Sequence, residues 1–548
     1  MGVRVEAGLL VGIGSATFFA TLLALVFGVL TPAASGLGLI AGALGGTLAW
    51  RATARPGQAR PQGADIAAAA LFGVVALRQF LWLLVERDGQ VLTWDYFNYG
   101  DLPLHITYIR FFANGAPFWP DNPVFTSTRL QYPIGIDVFQ AMLLQLGVPL
   151  ATGLALVGVL ASVLTALGLL RWAGGLALLA FLLSGGLGEP QGLAWKNLFL
   201  ALFVTQRGFL FAMPAGLLLL ASWRRRLVRG EGGLVPGWVE GVLWGSLPLF
   251  HLHTFLLVSL LFALWTLAER RLREARDTLL VALVPATLGV LAVTDFFRAA
   301  SLLGWQPGWT IGDEGLVTFF FRNFTIYPAL LAWAALAATR SRDRALVLTL
   351  VPALAVWAAL FFVKLAPWAW DNTKVMVWCY LLTLPAIGLA LAGVPARARA
   401  GLLVLWLLPG SVSVANATVG HQGYVLYERH EVEAVCEALR VAPIGERIAV
   451  APTFNHPVAL CGHPLVAGYG GHLWTYGIEP RAVEEKLARL MDGGPDWERA
   501  ASELRARFLF WGEREAEAHP GSLRPWETSR RLAAEGAWGR LYDLASAK

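Results

Sequence analysis

The stretch "WDYFNYGDLPLHITYIRFFANGAPFWPDNPVFTSTRLQYP", residues 94–133, decides how this chain is read. On either side of it the sequence consists largely of apolar runs. Here it turns acidic and aromatic, and an acidic, aromatic loop between membrane spans points to a reaction at the membrane surface. The whole interruption runs from Glu86 to Ile136.

Hydrophobic residues make up 56% of the chain and charged residues only 15%, and apolar runs near the length needed to cross ~30 Å of hydrocarbon recur from end to end. That composition belongs to a polytopic helical membrane protein. The first run, 7–30, has only Arg4 as a basic flank and is followed at once by a second, 33–50, so the pair reads as an uncleaved helical hairpin rather than a signal peptide. Further spans are predicted over 64–85, 149–170, 174–186, 198–222, 236–250, 252–268, 278–294, 317–338, 345–363, 374–392 and 400–416, a mostly α bundle of about thirteen transmembrane helices.

Arginine placement orients the bundle, because short basic loops stay in the cytoplasm. Arg51 to Arg60, Arg224 to Arg229, Arg270 to Arg276, Arg340 to Arg344 and Arg397 to Arg399 all fall on one side when the N-terminus is inside. The expected organisation is a transmembrane domain over 1–416, carrying the large outer loop 86–136, and a small α/β extracytoplasmic domain over 417–548. In that tail, "RIAVAP" and "FLFWGE" are strand-like and separated by charged helical segments. The net charge of +6 is accounted for by the cytoplasmic arginines, so no nucleic-acid partner is inferred; the lipid bilayer is the partner the composition demands. Cys379 lies in an apolar span, whereas Cys436 and Cys461 both lie in the tail, where an oxidising compartment leaves a disulfide open.

Within the outer loop, Asp101 and His105 begin an amphipathic segment in which Ile106, Ile109 and Phe112 share one face while Asp101, His105 and Tyr108 share another. Such a helix is expected to lie flat on the outer leaflet, its polar face towards a cavity. A carboxylate held there can take a proton from an acceptor hydroxyl. Asp101, two residues before Pro103, also suits a helix N-cap, and the two roles are compatible. Asp95 sits among Trp94, Tyr96, Phe97 and Tyr99, a composition that serves sugar stacking or an interfacial aromatic belt equally. Asp121 reads as a turn residue, and Asp137 either caps the next helix or overhangs the cavity.

An aspartate in the first large outer loop, a bundle of eleven to thirteen helices and a soluble outer C-terminal domain resemble the GT-C superfamily of membrane glycosyltransferases, which includes protein O-mannosyltransferases, oligosaccharyltransferases and arabinosyltransferases. The resemblance implies that Asp101 in "YGDLPLH" is the catalytic loop aspartate and that the donor is a polyprenyl-phosphate or diphosphate sugar. The family often pairs two acids closely, whereas Leu102 and Pro103 follow Asp101 here, and the helices over 7–50 are an addition to the family layout.

A lipid-phosphate donor needs cations at the outer face. Arg207, Arg322 and Lys374 are the candidates for the donor phosphate, with Lys196 and Lys364 also at outer helix ends. Snorkelling, or pairing with Asp371 or Asp313, is the competing account. His251 and His253 in "HLHT" join two short apolar runs and can line the cavity; with no third ligand they do not make a zinc site, so no metal or other cofactor is assigned and a divalent ion has only weak support. Asp313 and Glu314 lie in an aromatic outer loop and are candidates, with Trp94, Asp95, Tyr99 and the two histidines, for binding sugar or acceptor. In the tail, "GYGGHLWTYG" (468–477) faintly resembles the Trp-Trp-Asp-Tyr-Gly motif of oligosaccharyltransferases, with Thr475 in place of its aspartate.

The expected function is transfer of a sugar from a lipid-linked sugar donor to a glycan, lipid or protein acceptor at the outer face. No nucleotide-binding fingerprint occurs in the cytoplasmic loops, which favours that donor over a nucleotide sugar. A transporter or flippase for a lipid-linked glycan would show inverted repeats and mid-membrane charges, and neither stands out. A non-catalytic cell-envelope scaffold is the third alternative.

Overall fold

A computed structural model describes residues 2–54, 62–189, 192–298, 303–420 and 423–547. Arg55 and Arg60 of the first basic loop, Pro190 and Gln191 therefore lie outside the described residues. Helix makes up 66% of the structure.

The first helices are α1 (Val3–Phe27), α2 (Pro32–Ala52) and α3 (Gly63–Leu81). The hairpin of α1 and α2 closes on glycine: a Cβ on Gly42 would lie 2.5 Å from the Gly12 carbonyl oxygen, and one on Gly46 2.5 Å from that of Gly8. Small residues let two membrane helices approach where no water drives them together. After α4 (Tyr96–Ala113) and α5 (Gly135–Gln145) come α6 (Leu150–Leu183), α7 (Phe209–Trp223), α8 (Gly237–Phe250), α9 (Leu252–Ala268) and α10 (Leu272–Val293). The bundle ends with α11 (Leu316–Phe324), α12 (Tyr327–Ser341), α13 (Arg344–Ala359), α14 (Thr373–Ala392) and α15 (Ala396–Val419).

Among the described residues, seven helices are long and apolar enough to cross a membrane, or eight if α11 and α12, bent by 86°, form one broken span. The predicted count of thirteen is not reproduced at full length. α7, α8, α9 and α13 have 15, 14, 17 and 16 residues, which at 1.5 Å per residue is about 21–26 Å. The predicted spans 149–170 and 174–186 fall within α6, whose backbone leaves the helical region at Ala173 and Gly174. There the Gly175 N–H donates to Asp65 Oδ1 at 2.6 Å. The predicted continuous helix over 198–222 is also broken: a π-helical turn over Phe199–Val204 ends in Thr205–Gly208 before α7 begins. An apolar run registers hydrophobicity, not these interruptions.

Three small sheets lie between the helices in sequence. Strands β1 (Val85–Arg87) and β2 (Gln90–Thr93) form a hairpin, β3 (Asp121–Asn122) pairs with β4 (Phe125–Arg129), and β5 (Gly304–Trp305) pairs with β6 (Val363–Lys364). Strand β7 (Tyr424–Glu428) adds antiparallel to β2, tying the chain that leaves α15 to the chain that leaves α3. Beyond it, β8 (Arg447–Ala449), β9 (Ala506–Trp511), β10 (Arg530–Gly536) and β11 (Gly539–Ala547) make a sheet of order β10-β11-β9-β8, in which β8 and β9 are parallel.

This C-terminal part is disulfide-linked between Cys436 and Cys461, and the bridged loop seats on α4. Arg110 donates to the Leu460 carbonyl at 2.8 Å and Asn114 to that of Cys461 at 2.9 Å. Gly462 has φ +78°, and a Cβ there would lie 2.4 Å from the Phe111 nitrogen. Helix α4 is consequently buried on both faces from Leu102 to Ile109, not laid flat on an open leaflet as its amphipathic pattern suggests.

Candidate active site

The N-cap of α4 is Asp95, whose carboxylate accepts from the Phe97 N–H at 3.1 Å. The helix thus begins a turn and a half before Asp101, which is freed from capping despite the nearby Pro103. Burial of Asp95 pushes its own carboxyl up to about 6, and its second oxygen has no partner.

Asp101 and His105 lie four residues apart on one face of α4. The Asp101 carboxylate is half-buried and accepts from Gln206 Nε2 at 2.5 Å. Burial raises its pKa above the usual carboxylate range, while His105, Lys374 and His472 favour the charged form. His105 Nδ1 lies 2.9 and 3.1 Å from the two carboxylate oxygens of Asp137, both side chains being buried. Because a carboxylate only accepts, Nδ1 is the donor in this contact. Asp137 comes from the first turn of α5.

Gln206 and Arg207 belong to the break before α7. Gly208 is required there, since a Cβ would lie 2.2 Å from the Phe250 carbonyl oxygen. The break thereby packs on the α8–α9 junction, where the rings of Phe209 and His251 are 4.1 Å apart. Arg207 is 1% exposed, lies within electrostatic reach of Asp137, and none of its three guanidinium nitrogens has a hydrogen-bond partner. A buried guanidinium without a partner is costly, and an anion supplied from outside the chain would relieve it.

His251 caps α9 through Nδ1, which accepts from the Thr254 N–H at 3.2 Å, and its Nε2 is buried without a partner. Thr254 Oγ1 in turn accepts from Trp378 Nε1 at 2.8 Å, locking the start of α14 to this junction. Lys374, on the first turn of α14, is 3.1 Å from Asp371 and within electrostatic reach of Asp101, His251 and His253.

Further contacts come from the short helix Gly470–Thr475 and the residue after it. His472 Nε2 donates to the Gly100 carbonyl at 3.0 Å, and burial lowers its pKa. Tyr108 donates to Tyr476 at 3.3 Å, and the Tyr132 ring lies 6.0 Å from His105 and 5.5 Å from Tyr476.

Asp101 thus lies within electrostatic reach of His105 and Lys374, Lys374 within reach of His251 and His253, and Arg207 within reach of the Asp137 that holds His105. The other candidates lie elsewhere. Arg322 is engaged by Glu314 at 2.8 Å and the Gly192 carbonyl at 2.7 Å, and Asp313 is exposed on the same loop. Trp94 donates to the Gly420 carbonyl at 2.7 Å, and Tyr99 packs against Phe454 with ring centroids 4.9 Å apart. Gln206 carried no signal in the sequence beyond adjacency to Arg207, and His472 only its place in the glycine-rich tail motif. Among the described residues, no group of three or more His, Cys, Asp or Glu could hold a metal ion.

Comparison with solved structures finds several chains to which this one is similar over most of its length. The solved structures concerned include the oligosaccharyltransferase of Archaeoglobus fulgidus in the apo form, at 11% identity and a TM-score of 0.44, covering 82% of this chain and 69% of that one. They also include AglB of Archaeoglobus fulgidus, an archaeal oligosaccharyltransferase in complex with an inhibitory peptide and a dolichol-phosphate (14%, 0.35, 85% and 72%). A third is ArnT of Cupriavidus metallidurans in the apo state (13%, 0.44, 88% and 97%). No protein-family model matches the sequence, and no curated protein matches it.

Proposed function

We propose that this chain is a membrane glycosyltransferase that moves a sugar from a polyprenyl-phosphate-linked donor to an acceptor hydroxyl at the outer face. The observation that carries the reading is a half-buried carboxylate, Asp101, within electrostatic reach of the Lys374 ammonium and held by Gln206, whose neighbour Arg207 has a buried, unpartnered guanidinium.

Asp101 accepts the acceptor's proton as the acceptor oxygen bonds to the sugar's anomeric carbon. The bond from that carbon to the phosphate oxygen breaks, and its electron pair leaves with the phosphate. Arg207 and Lys374 stabilise the charge that develops there. His105, held by Asp137, positions the acceptor beside Asp101. An apolar groove lined by Trp244, Phe255, Leu279, Leu283, Thr287 and Leu291 begins two residues beyond His253 and suits the donor's isoprenoid chain. The basic loops and the Cys436–Cys461 disulfide support an outer placement of the tail.

The test is binding and turnover of radiolabelled polyprenyl-phosphate sugars by the wild type and Asp101→Asn in lipid nanodiscs. Donor binding by both, with turnover in the variant reduced by about 10²–10⁴, is expected. Full turnover by Asp101→Asn sinks the assignment of the base. Binding without turnover in the wild type moves the weight to transport of a lipid-linked glycan.

A further inference from the structure

Within electrostatic reach of Asp101 lies a group of residues that the reaction as drawn does not use. Lys196 follows Ala194 and Trp195, whose backbone is held by side chains from elsewhere. Asn323 Oδ1 accepts from the Ala194 and Trp195 N–H groups at 2.9 and 3.0 Å, and Trp370 Nε1 donates to the Ala194 carbonyl at 2.9 Å. The Lys196 ammonium sits over three aromatic rings, 5.0 Å from the centroid of Trp370 and 5.9 Å from those of Trp368 and Phe97. It makes no ion pair among the described residues, and the charge nearest to it in effect is that of Asp101.

Two large aromatics converge here from distant parts of the chain. Trp368, before α14, is 37% exposed, and Trp474, in the C-terminal loop, is 53% exposed, with their ring centroids 6.3 Å apart. Neither residue fills a core. Exposed indole faces in a cleft suit the apolar face of a sugar ring, and a cation held by ring faces instead of a carboxylate remains available to an incoming anion.

Resting on the transferase reading above, we propose that Lys196, Trp368, Trp370 and Trp474 form an acceptor subsite for a sugar ring bearing an acidic group, stacked on the indoles with its carboxylate on Lys196. The position favours acceptor over donor. Arg207 and Lys374 sit beside the membrane helices α7 and α14, whereas this cluster is shared with the C-terminal part through Trp474 and its ammonium is within electrostatic reach of the carboxylate that must meet the acceptor hydroxyl.

Ligand-observed NMR on the full chain in nanodiscs tests it, with methyl β-glucuronide, methyl β-glucoside and inorganic phosphate as probes. The glucuronide is expected to bind about tenfold more tightly than the glucoside, one charge-assisted contact's worth. Lys196→Gln should erase the preference, Lys196→Arg should keep it, and Trp474→Ala, a change at an exposed ring, should weaken both sugars. Equal binding of the two sugars, or a preference that survives Lys196→Gln, overturns the subsite. So does phosphate binding that depends on Lys196 while the glucuronide fails to bind, which would make this a donor-end site. Selective glucuronide binding by a protein that never transfers sugar sinks the transferase reading and leaves the subsite standing. Transfer with equal KM for neutral and acidic acceptors sinks the subsite alone.

Discussion

Burial holds the Asp101 carboxyl above the ordinary carboxylate range, against the pull of His105, Lys374 and His472, and both activity and stability inherit a pH dependence from that. As a base Asp101 works only when ionised, so kcat/KM should rise with pH through a limb set by its raised pKa. Gln206→Leu removes a donor to the charged form and should move that limb to higher pH, which a pH–rate profile would show. Stability runs the other way. A folded pKa above the unfolded one means that the favourable, protonated state prevails below about pH 4 and is lost as pH rises through the folded value. Asp101→Asn should therefore raise the melting temperature at neutral pH and not in acid; a lower Tm at pH 7 would contradict it. Arg207 makes the complementary case. Arg207→Met should weaken donor binding by ~1.5–3 kcal/mol while leaving the unliganded protein as stable or more so, because it removes an unpartnered buried charge. A large loss of stability without donor would mean that the guanidinium is paired within the fold.

At the scale of elements, the site depends on how α4 is clamped between the bundle and the bridged C-terminal loop. The disulfide closes a separation of 25 residues, and its loss should cost about 3 kcal/mol. Cys461→Ser is expected to lower Tm and, because Leu460 and Cys461 accept from Arg110 and Asn114, to lower turnover more than donor binding. Gly462→Ala should act similarly, by ~1–3 kcal/mol, through both its left-handed backbone and the contact with Phe111. Unchanged turnover in both variants would show that α4 holds its place without the clamp. Polarity and periodicity expose α4 as a helix but say nothing of a second face being covered, since the covering loop lies some 350 residues later.

For the molecule as a whole, orientation is the quantity to measure. Cys379 is buried and the other cysteines are bonded, so single introduced cysteines report cleanly. Ala518→Cys should be labelled from outside intact cells by a membrane-impermeant maleimide and Ser341→Cys should not; the reverse pattern would invert the topology. The membrane class and the hairpin of α1 and α2 were legible in the chain, because hydropathy and short connections are local properties. The partition of the cations was not: Arg207 and Arg322 look alike in sequence, yet one is buried without a partner and the other is engaged by Glu314. Nor were the Asp137 support of His105, the grip of Gln206 on Asp101, or the approach of His472 to Gly100 and of Trp474 to Trp368. Each joins segments far apart along the chain, and only packing of the helix breaks and the bridged loop against α4 decides which polar groups meet and which are left for a ligand.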